Sequence, residues 1–209
     1  DIIHAVEIQG AGYLISQAYS RSPKNSKLIL TNWGSDIYFY KENPEHKARI
    51  SNLLSVVDFY SAECERDYDL ANQFGFKGVP LPIIPNAGGF VLHRARISNT
   101  SSRNLILVKG TGGRFGNARF LIPILENALS RFPRITITFY SVTEDIRSEL
   151  TEMRDSYPGR VEIHSIDQKL PHKQMLELFE KARVYLSSSF SDGISTSFLE
   201  ALVSGAYPI

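Results

Sequence analysis

The chain has 209 residues, with 23 Lys plus Arg against 22 Asp plus Glu, so its formal charge is +1. Hydrophobic residues make up 43% and charged residues 22%, a globular composition that excludes a disordered chain. The near-neutral balance leaves no electrostatic footprint for nucleic acid, and the single cysteine, Cys64, excludes an intrachain disulfide framework and favours a reducing, cytoplasmic setting.

No apolar run approaches the roughly 18 residues of a membrane span, and no secretory signal is visible. Both ends read as strands ("DIIHAVEI" and "GAYPI"), which suggests a piece of a longer protein. In chain order, short apolar stretches rich in Ile, Leu and Val predict strands over residues 1–5, 27–31, 58–60, 81–84, 104–109, 134–140, 160–164 and 183–187. Helical periodicity fills the gaps, with helices expected over 116–132, 143–157, 171–182 and 194–204. Thr143 with Glu144 and Asp145 suits a helix start, and Pro171 suits a first helical position. This alternation implies βαβ units, hence α/β domains with doubly wound parallel sheets. The stretch "PNAGGFVLHRARISNTSSRN" breaks the rhythm and reads as a linker. The expected organisation is residues 1–85 as one domain, 86–103 as linker and 104–209 as a second domain.

Two stretches have the composition to cradle a phosphate. "VKGTGGRFGNAR" follows a predicted strand and opens a predicted helix, with Gly110, Gly112 and Gly116 in a G-x-G-x-x-x-G spacing. Glycines let the backbone approach an anion, and a helix N-terminus offers free N–H groups. The spacing is close to a dinucleotide fingerprint, but no acidic residue follows the next strand until Glu144. Lys109 and Arg114 add two cations suited to a diphosphate. On spacing alone they read slightly better as solvated loop charges. The second stretch, "SSSFSDGISTSFLEALVSGAYPI", runs from a strand through a Ser- and Gly-rich turn into a helix. It places the amides of Gly193, Ile194 and Ser195 where they could meet an anion, and Asp192 eight residues before Glu200. Such carboxylates can hold sugar or ribose hydroxyls. The plainer reading, which residue pattern alone prefers, makes Asp192 an N-cap-like residue and Glu200 a solvated helix position.

The arrangement resembles the glutamate-x7-glutamate segment of retaining glycosyltransferases of family 4, which have the GT-B fold. Asp192-x7-Glu200 is followed by Ala201, Gly205, Pro208 and Ile209, in that family's order. "LILVKGTGGRFG" resembles its "vGR…KG" segment, with Lys109 at the Arg position and Arg114 at the Lys position. "LPIIPNAGG" resembles "vIPNGvD", "DIIHAVE" resembles "DvvHaH", and "LTNWGSDIY" resembles "vTvHGsD". "FYSAECERD" resembles its strand followed by a Ser-led helix. Six motifs in order cover nearly the whole chain.

The resemblance implies a GT-B-like fold built from parts of two Rossmann-like domains. It also implies transfer of a sugar, with retention, from a nucleotide-diphosphate sugar to a glycan or lipid-linked acceptor. It makes Glu200 the ribose ligand and Asp192 the ligand of the transferred sugar. Lys109 and Arg114 neutralise the leaving diphosphate, while Gly110, Gly112, Gly193, Ile194 and Ser195 line the donor. Acceptor-side candidates are His4, Glu7, Trp33, Gly34, Ser35 and Asp36. It implies no metal and no cofactor beyond the donor; the five histidines are scattered. A lipid-linked acceptor would place the protein at the inner membrane face as a peripheral enzyme. The sequence departs from the family at Trp33, where a His is usual, at Val6, where a second His is usual, and at Asp192, where Glu is usual. These departures keep open a non-catalytic nucleotide-sugar or glycan-binding relative, and the glycines keep open a nicotinamide-dependent oxidoreductase.

Overall fold

The computed structural model describes residues 1–21, 25–90, 99–113 and 116–209. Residues 91–98 of the expected linker lie outside the described residues. The chain divides into two compact units, Asp1–Gly88 with Ser191–Ser195, and Gly89–Phe190 with Thr196–Ile209.

The first unit has four parallel strands in the order β1 (Ile2–Val6), β2 (Lys27–Thr31), β3 (Phe59–Ser61) and β4 (Val79–Pro80). Strand β1 leads through a π-helical turn at Ile8–Gly12 into helix α1 (Tyr13–Tyr19). Helices α2 (Ser35–Tyr38), α3 (Pro44–Leu54) and α4 (Glu65–Gln73) fill the later crossovers. The start of α3 is written in the sequence: Asn43 Oδ1 accepts from the Glu45 amide at 3.0 Å, with Pro44 in the first turn. Leu28 and Leu30 of β2 are fully buried with Ile50, Leu53 and Leu54 of α3. The expected strand at 81–84 is corrected to Val79–Pro80. Pro80, Pro82 and Pro85 have no amide to donate to a ladder, so pairing stops almost as it starts. The Leu81 amide still reaches the Tyr60 carbonyl at 2.8 Å.

The second unit has five parallel strands, β5 (Leu105–Lys109), β6 (Thr136–Val142), β7 (Val161–Ser165), β8 (Ala182–Leu186) and β9 (Tyr207–Pro208). They lie in the order β7-β6-β5-β8-β9. The helices are α5 (Ile122–Arg131), α6 (Arg147–Ser156), α7 (His172–Lys181) and α8 (Thr196–Val203). Successive residues of the central strand point to opposite faces. Val108 packs with Leu125 and Leu129 of α5 and Leu150 and Met153 of α6. Leu107 packs with Phe179 of α7, Ala201 of α8 and Tyr185. Burial on both faces explains the unbroken apolar run of β5 and makes this a doubly wound sheet.

All four expected helix starts shift from the sequence reading, α8 by two residues to Thr196. The expected 116–132 helix begins as a 3-10 turn at Ala118–Leu121 and becomes α-helical only at Ile122, with Pro123 in its first turn. The expected 143–157 helix likewise opens with a 3-10 turn at Glu144–Ile146. Pro171 is the extended residue before α7, with φ −54° and ψ 140°, rather than its first helical residue. Two arginines tie the unit together. Arg103, 5% exposed, donates to the carbonyls of Ala182 and Ser204. Arg160 donates to those of Leu129 and Phe132 at the end of α5 and of Ile135 ahead of β6. Among the described residues, no helix is long and apolar enough to cross a membrane.

Candidate active site

The strand order fixes where a ligand can sit in the second unit. The chain runs outward in one direction from β5 through β6 to β7, and in the other from β8 to β9. Crossovers leaving β5 and β8 therefore diverge and open a crevice beyond the carboxyl ends of these two strands. Lys109 is the last residue of β5, and Ser187 to Ser189 follow β8.

The Gly-rich loop after β5 is fixed from below. The Gly110 amide donates to Tyr140 O at 2.8 Å, and the Thr143 amide to Gly110 O at 3.2 Å. The Gly112 amide donates to Thr143 Oγ1 at 2.8 Å. A Cβ on Gly110 would lie 2.5 Å from Val142 Cγ2 and 3.2 Å from Val142 Cα. One on Gly112 would lie 2.4 Å from a carboxylate oxygen of Asp145. The β6–α6 connection beneath leaves no room for a side chain at Gly110, whereas at Gly112 only the free end of the Asp145 side chain stands in the way. Gly116 forms an antiparallel bridge with Ser189, and the Asn117 amide donates to Ser188 O at 3.0 Å, so the β5 and β8 loops are stitched together. Beside that seam, the Ser187 and Ser188 hydroxyl oxygens are buried and have no hydrogen-bond partner among the described residues.

Glu200 lies on α8 and is 6% exposed. The plainer sequence reading of a solvated helix position is thereby corrected: apolar residues of α8 turn that face inward, and Ala201 next to it is fully buried. Its Oε1 lies 2.6 Å from His172 Nε2, at the first residue of α7. The His172 side chain is 71% exposed against 8% for Glu200. Nothing in the motif pattern signalled His172, because it stands 28 residues away and meets Glu200 only through the packing of α7 and α8.

Arg114 lies outside the described residues. Ser191–Ser195 groups with the first unit. Asp192 is exposed and stands four residues ahead of α8, so it is not the helix N-cap that the plainer reading expected. Gly193 sits tight, since a Cβ there would lie 2.8 Å from Glu63 Cβ. Glu63 is 5% exposed and accepts from the backbone N–H groups of Asn86, at 2.9 Å, and Ile194. Burial pushes its carboxyl above the ordinary range, the two hydrogen bonds pulling the other way. Ser195, next in the chain, is half-buried.

Of the acceptor-side candidates, His4 lies within β1, Glu7, Trp33 and Gly34 follow β1 and β2, and Ser35 and Asp36 open α2. His4 Nε2 lies 2.7 Å from Thr31 Oγ1 of the neighbouring strand. Glu7 has φ 89°, and its Oε1 accepts from the Ala11 amide at 3.1 Å, so it caps the π-helical turn. Such turns are frequent where a chain must shape a functional loop. Asp36 is 8% exposed and brackets the two loops: Oδ2 accepts from the Ile8 amide at 3.1 Å and the Trp33 amide at 3.2 Å. Burial raises its carboxyl above the ordinary value. Gly34 has φ +58°, a conformation suited to glycine, and Ser35 opens α2 with its hydroxyl on Trp33 O. Trp33 itself is 42% exposed. Among the described residues, no three His, Cys, Asp or Glu side chains converge as a metal site.

Compared as a sequence, the chain matches no family model and no curated protein. Its fold matches solved glycosyltransferases of the GT-B type. An apo structure of OtsA superposes with a TM-score of 0.72 at 13% identity, over 98% of this chain and 55% of that one. A trehalose-6-phosphate synthase studied with bisubstrate glycomimetics gives 0.71 at 13% identity, over 98% and 56%. A mutant of TarM from S. aureus, in complex with fondaparinux, α-GlcNAc-glycerol and UDP, gives 0.66 at 13% identity, over 99% and 40%. The chain spans about half the length of the first two. It has a GT-B-like α/β fold, with parallel sheets as the sequence implied.

Proposed function

We propose that this chain carries the donor site of a retaining glycosyltransferase of the family 4 kind, using a nucleotide-diphosphate sugar. The observation that carries the reading is Glu200. A carboxylate 6% exposed costs free energy unless hydrogen-bonded, and a single exposed histidine engages it among the described residues. That is the state of a group kept for a ligand with paired hydroxyls, such as a ribose. The unpartnered Ser187 and Ser188 hydroxyls at the β5–β8 crevice support an oxygen-rich ligand there. The TarM structure, of like fold, holds UDP.

In this reading Glu200 holds the ribose hydroxyls, and Lys109 with Arg114 stabilises the diphosphate as negative charge develops on it. Gly110 and Gly112 shape the loop that carries these cations. Positive groups oriented before the reaction are the main catalytic lever. Asp192 and the segment Gly193 to Ser195 take the transferred sugar. Trp33 offers a ring face and one N–H to a sugar but cannot carry a proton. The proton of the acceptor hydroxyl then passes to the leaving phosphate on the same face. The acceptor is a glycan or lipid-linked saccharide, approached by His4, Glu7, Trp33, Gly34, Ser35 and Asp36. No metal enters these steps.

The test is turnover. The full-length protein is offered UDP-, GDP- and ADP-sugars, and release of the nucleoside diphosphate is measured. Glu200→Ala is expected to lower that release by about 100-fold or more, the usual scale for losing one preorganised charged contact. A Glu200→Ala enzyme with full activity would refute the assignment.

One observation favours a second reading, a nicotinamide-dinucleotide site. The Asp145 carboxylate lies directly against Gly112, after the strand neighbouring β5, where a dinucleotide fold keeps its ribose acid. Against it, the fingerprint needs its glycines to run straight into a helix. Here a β-bridge at Gly116 and a 3-10 turn intervene, and α5 starts six residues later.

A further inference from the structure

We infer that His172 is a positioning residue of the donor site: it holds one oxygen of the Glu200 carboxylate so that the other faces the ribose hydroxyls. The inference rests on the donor-site reading above and adds a residue to it.

Glu200 reaches its carboxylate through three rotatable bonds, so an untethered side chain would present its oxygens in many directions. One short hydrogen bond, 2.6 Å from Oε1 to His172 Nε2, removes most of that freedom. An ionised carboxylate can only accept, so Nε2 carries the proton and donates it. The carboxylate keeps the lone pairs of Oε2, enough to accept from a vicinal diol. The register of the pair is set by packing rather than by the pair itself. Helices α7 and α8 bury Phe179 and Ala201 in one cluster with Leu107 and Tyr185. Pro171, held at φ −54° and ψ 140°, delivers His172 as the first helical residue. The exposures separate this role from a structural one. The His172 side chain is 71% exposed, so it contributes little to the core, while the Glu200 side chain is 8% exposed and depends on its partner. An exposed ion pair of no further consequence would contribute almost nothing to stability or to binding.

The test measures dissociation constants of UDP, GDP and ADP, and of their 2′,3′-dideoxy forms. It uses the full-length protein and the variants His172→Phe and His172→Gln. The wild type is expected to bind one ribonucleotide about tenfold tighter than its dideoxy form, the scale of hydrogen bonds to a charged group. His172→Phe should lose most of that preference while its dideoxy affinity stays unchanged. His172→Gln supplies an amide donor near the Nε2 position and should restore part of the preference. A His172→Phe protein that keeps the full preference, or that weakens both forms equally, overturns the inference. Wild-type binding without any preference overturns it too, while leaving a nucleotide site standing. Absence of binding by all three ribonucleotides removes the donor-site reading and the positioning role with it.

Discussion

At the scale of single residues, the two loop glycines separate by what lies beneath them. Gly110→Ala drives a methyl into Val142, including its backbone, which cannot swing aside. Gly112→Ala meets the carboxylate of Asp145 instead. Overpacking against Val142 costs about 1–3 kcal/mol, and the clash with Asp145 costs less because the carboxylate can turn aside. Chemical denaturation should show both variants destabilised, with Asp145→Ala recovering stability for Gly112→Ala and not for Gly110→Ala; equal recovery in both would contradict the geometry. Asp36 gives a pH signature. Desolvation raises its folded carboxyl pKa above the ordinary value of 3.8. The folded state therefore holds that proton more tightly than the unfolded chain. The stability this contributes is complete below pH 3.8 and is lost as pH rises through the raised value. Asp36→Asn should flatten the fall in stability over that window. An unchanged slope would show that Asp36 titrates normally. The sequence names Asp36 and Glu200 through motif likeness and the glycines through their spacing, yet residue pattern alone reads Glu200 as solvated, since its burial depends on how α8 packs. It could not show His172 or Asp145, because each meets its partner through tertiary packing across tens of residues.

At the scale of elements, strands buried on both faces were legible because such strands read as plain apolar runs, and β2 fell on residues 27–31 as expected. Starts were less legible. The prolines at 80, 82 and 85 shortened a strand that side-chain pattern alone extended to Ile84. The α5 helix was delayed because residues 116 and 117 are taken up in hydrogen bonds to the loop after β8. Arg160 shows how an element end is held by something no local pattern predicts. It donates to three carbonyls, of Leu129 and Phe132 at the close of α5 and of Ile135 ahead of β6. Arg160→Met keeps the apolar stem and removes all three bonds. It should cost about 1.5–3 kcal/mol in denaturant unfolding. A loss below about 0.5 kcal/mol would mean that water replaces the guanidinium freely.

At the scale of the whole molecule, each unit has its own core, one around Leu28 and Leu30 and the other on the two faces of β5. Independent cores favour separable unfolding transitions. Leu30→Ala, at a fully buried site, should weaken its unit by about 2–5 kcal/mol and move one calorimetric transition while leaving another in place. A single transition that moves as a whole would contradict this. The doubly wound class was legible from the alternation of strands and helices. The strand order β7-β6-β5-β8-β9 was not, since order is set by crossover direction, yet that order puts the crevice at Lys109. The most direct test of the account is equilibrium binding of UDP, GDP, ADP and NAD to the full-length protein and to Glu200→Ala. The account requires one nucleoside diphosphate to bind the wild type and to be lost in the variant. Binding of NAD alone, or of a nucleoside diphosphate equally to both proteins, would contradict it.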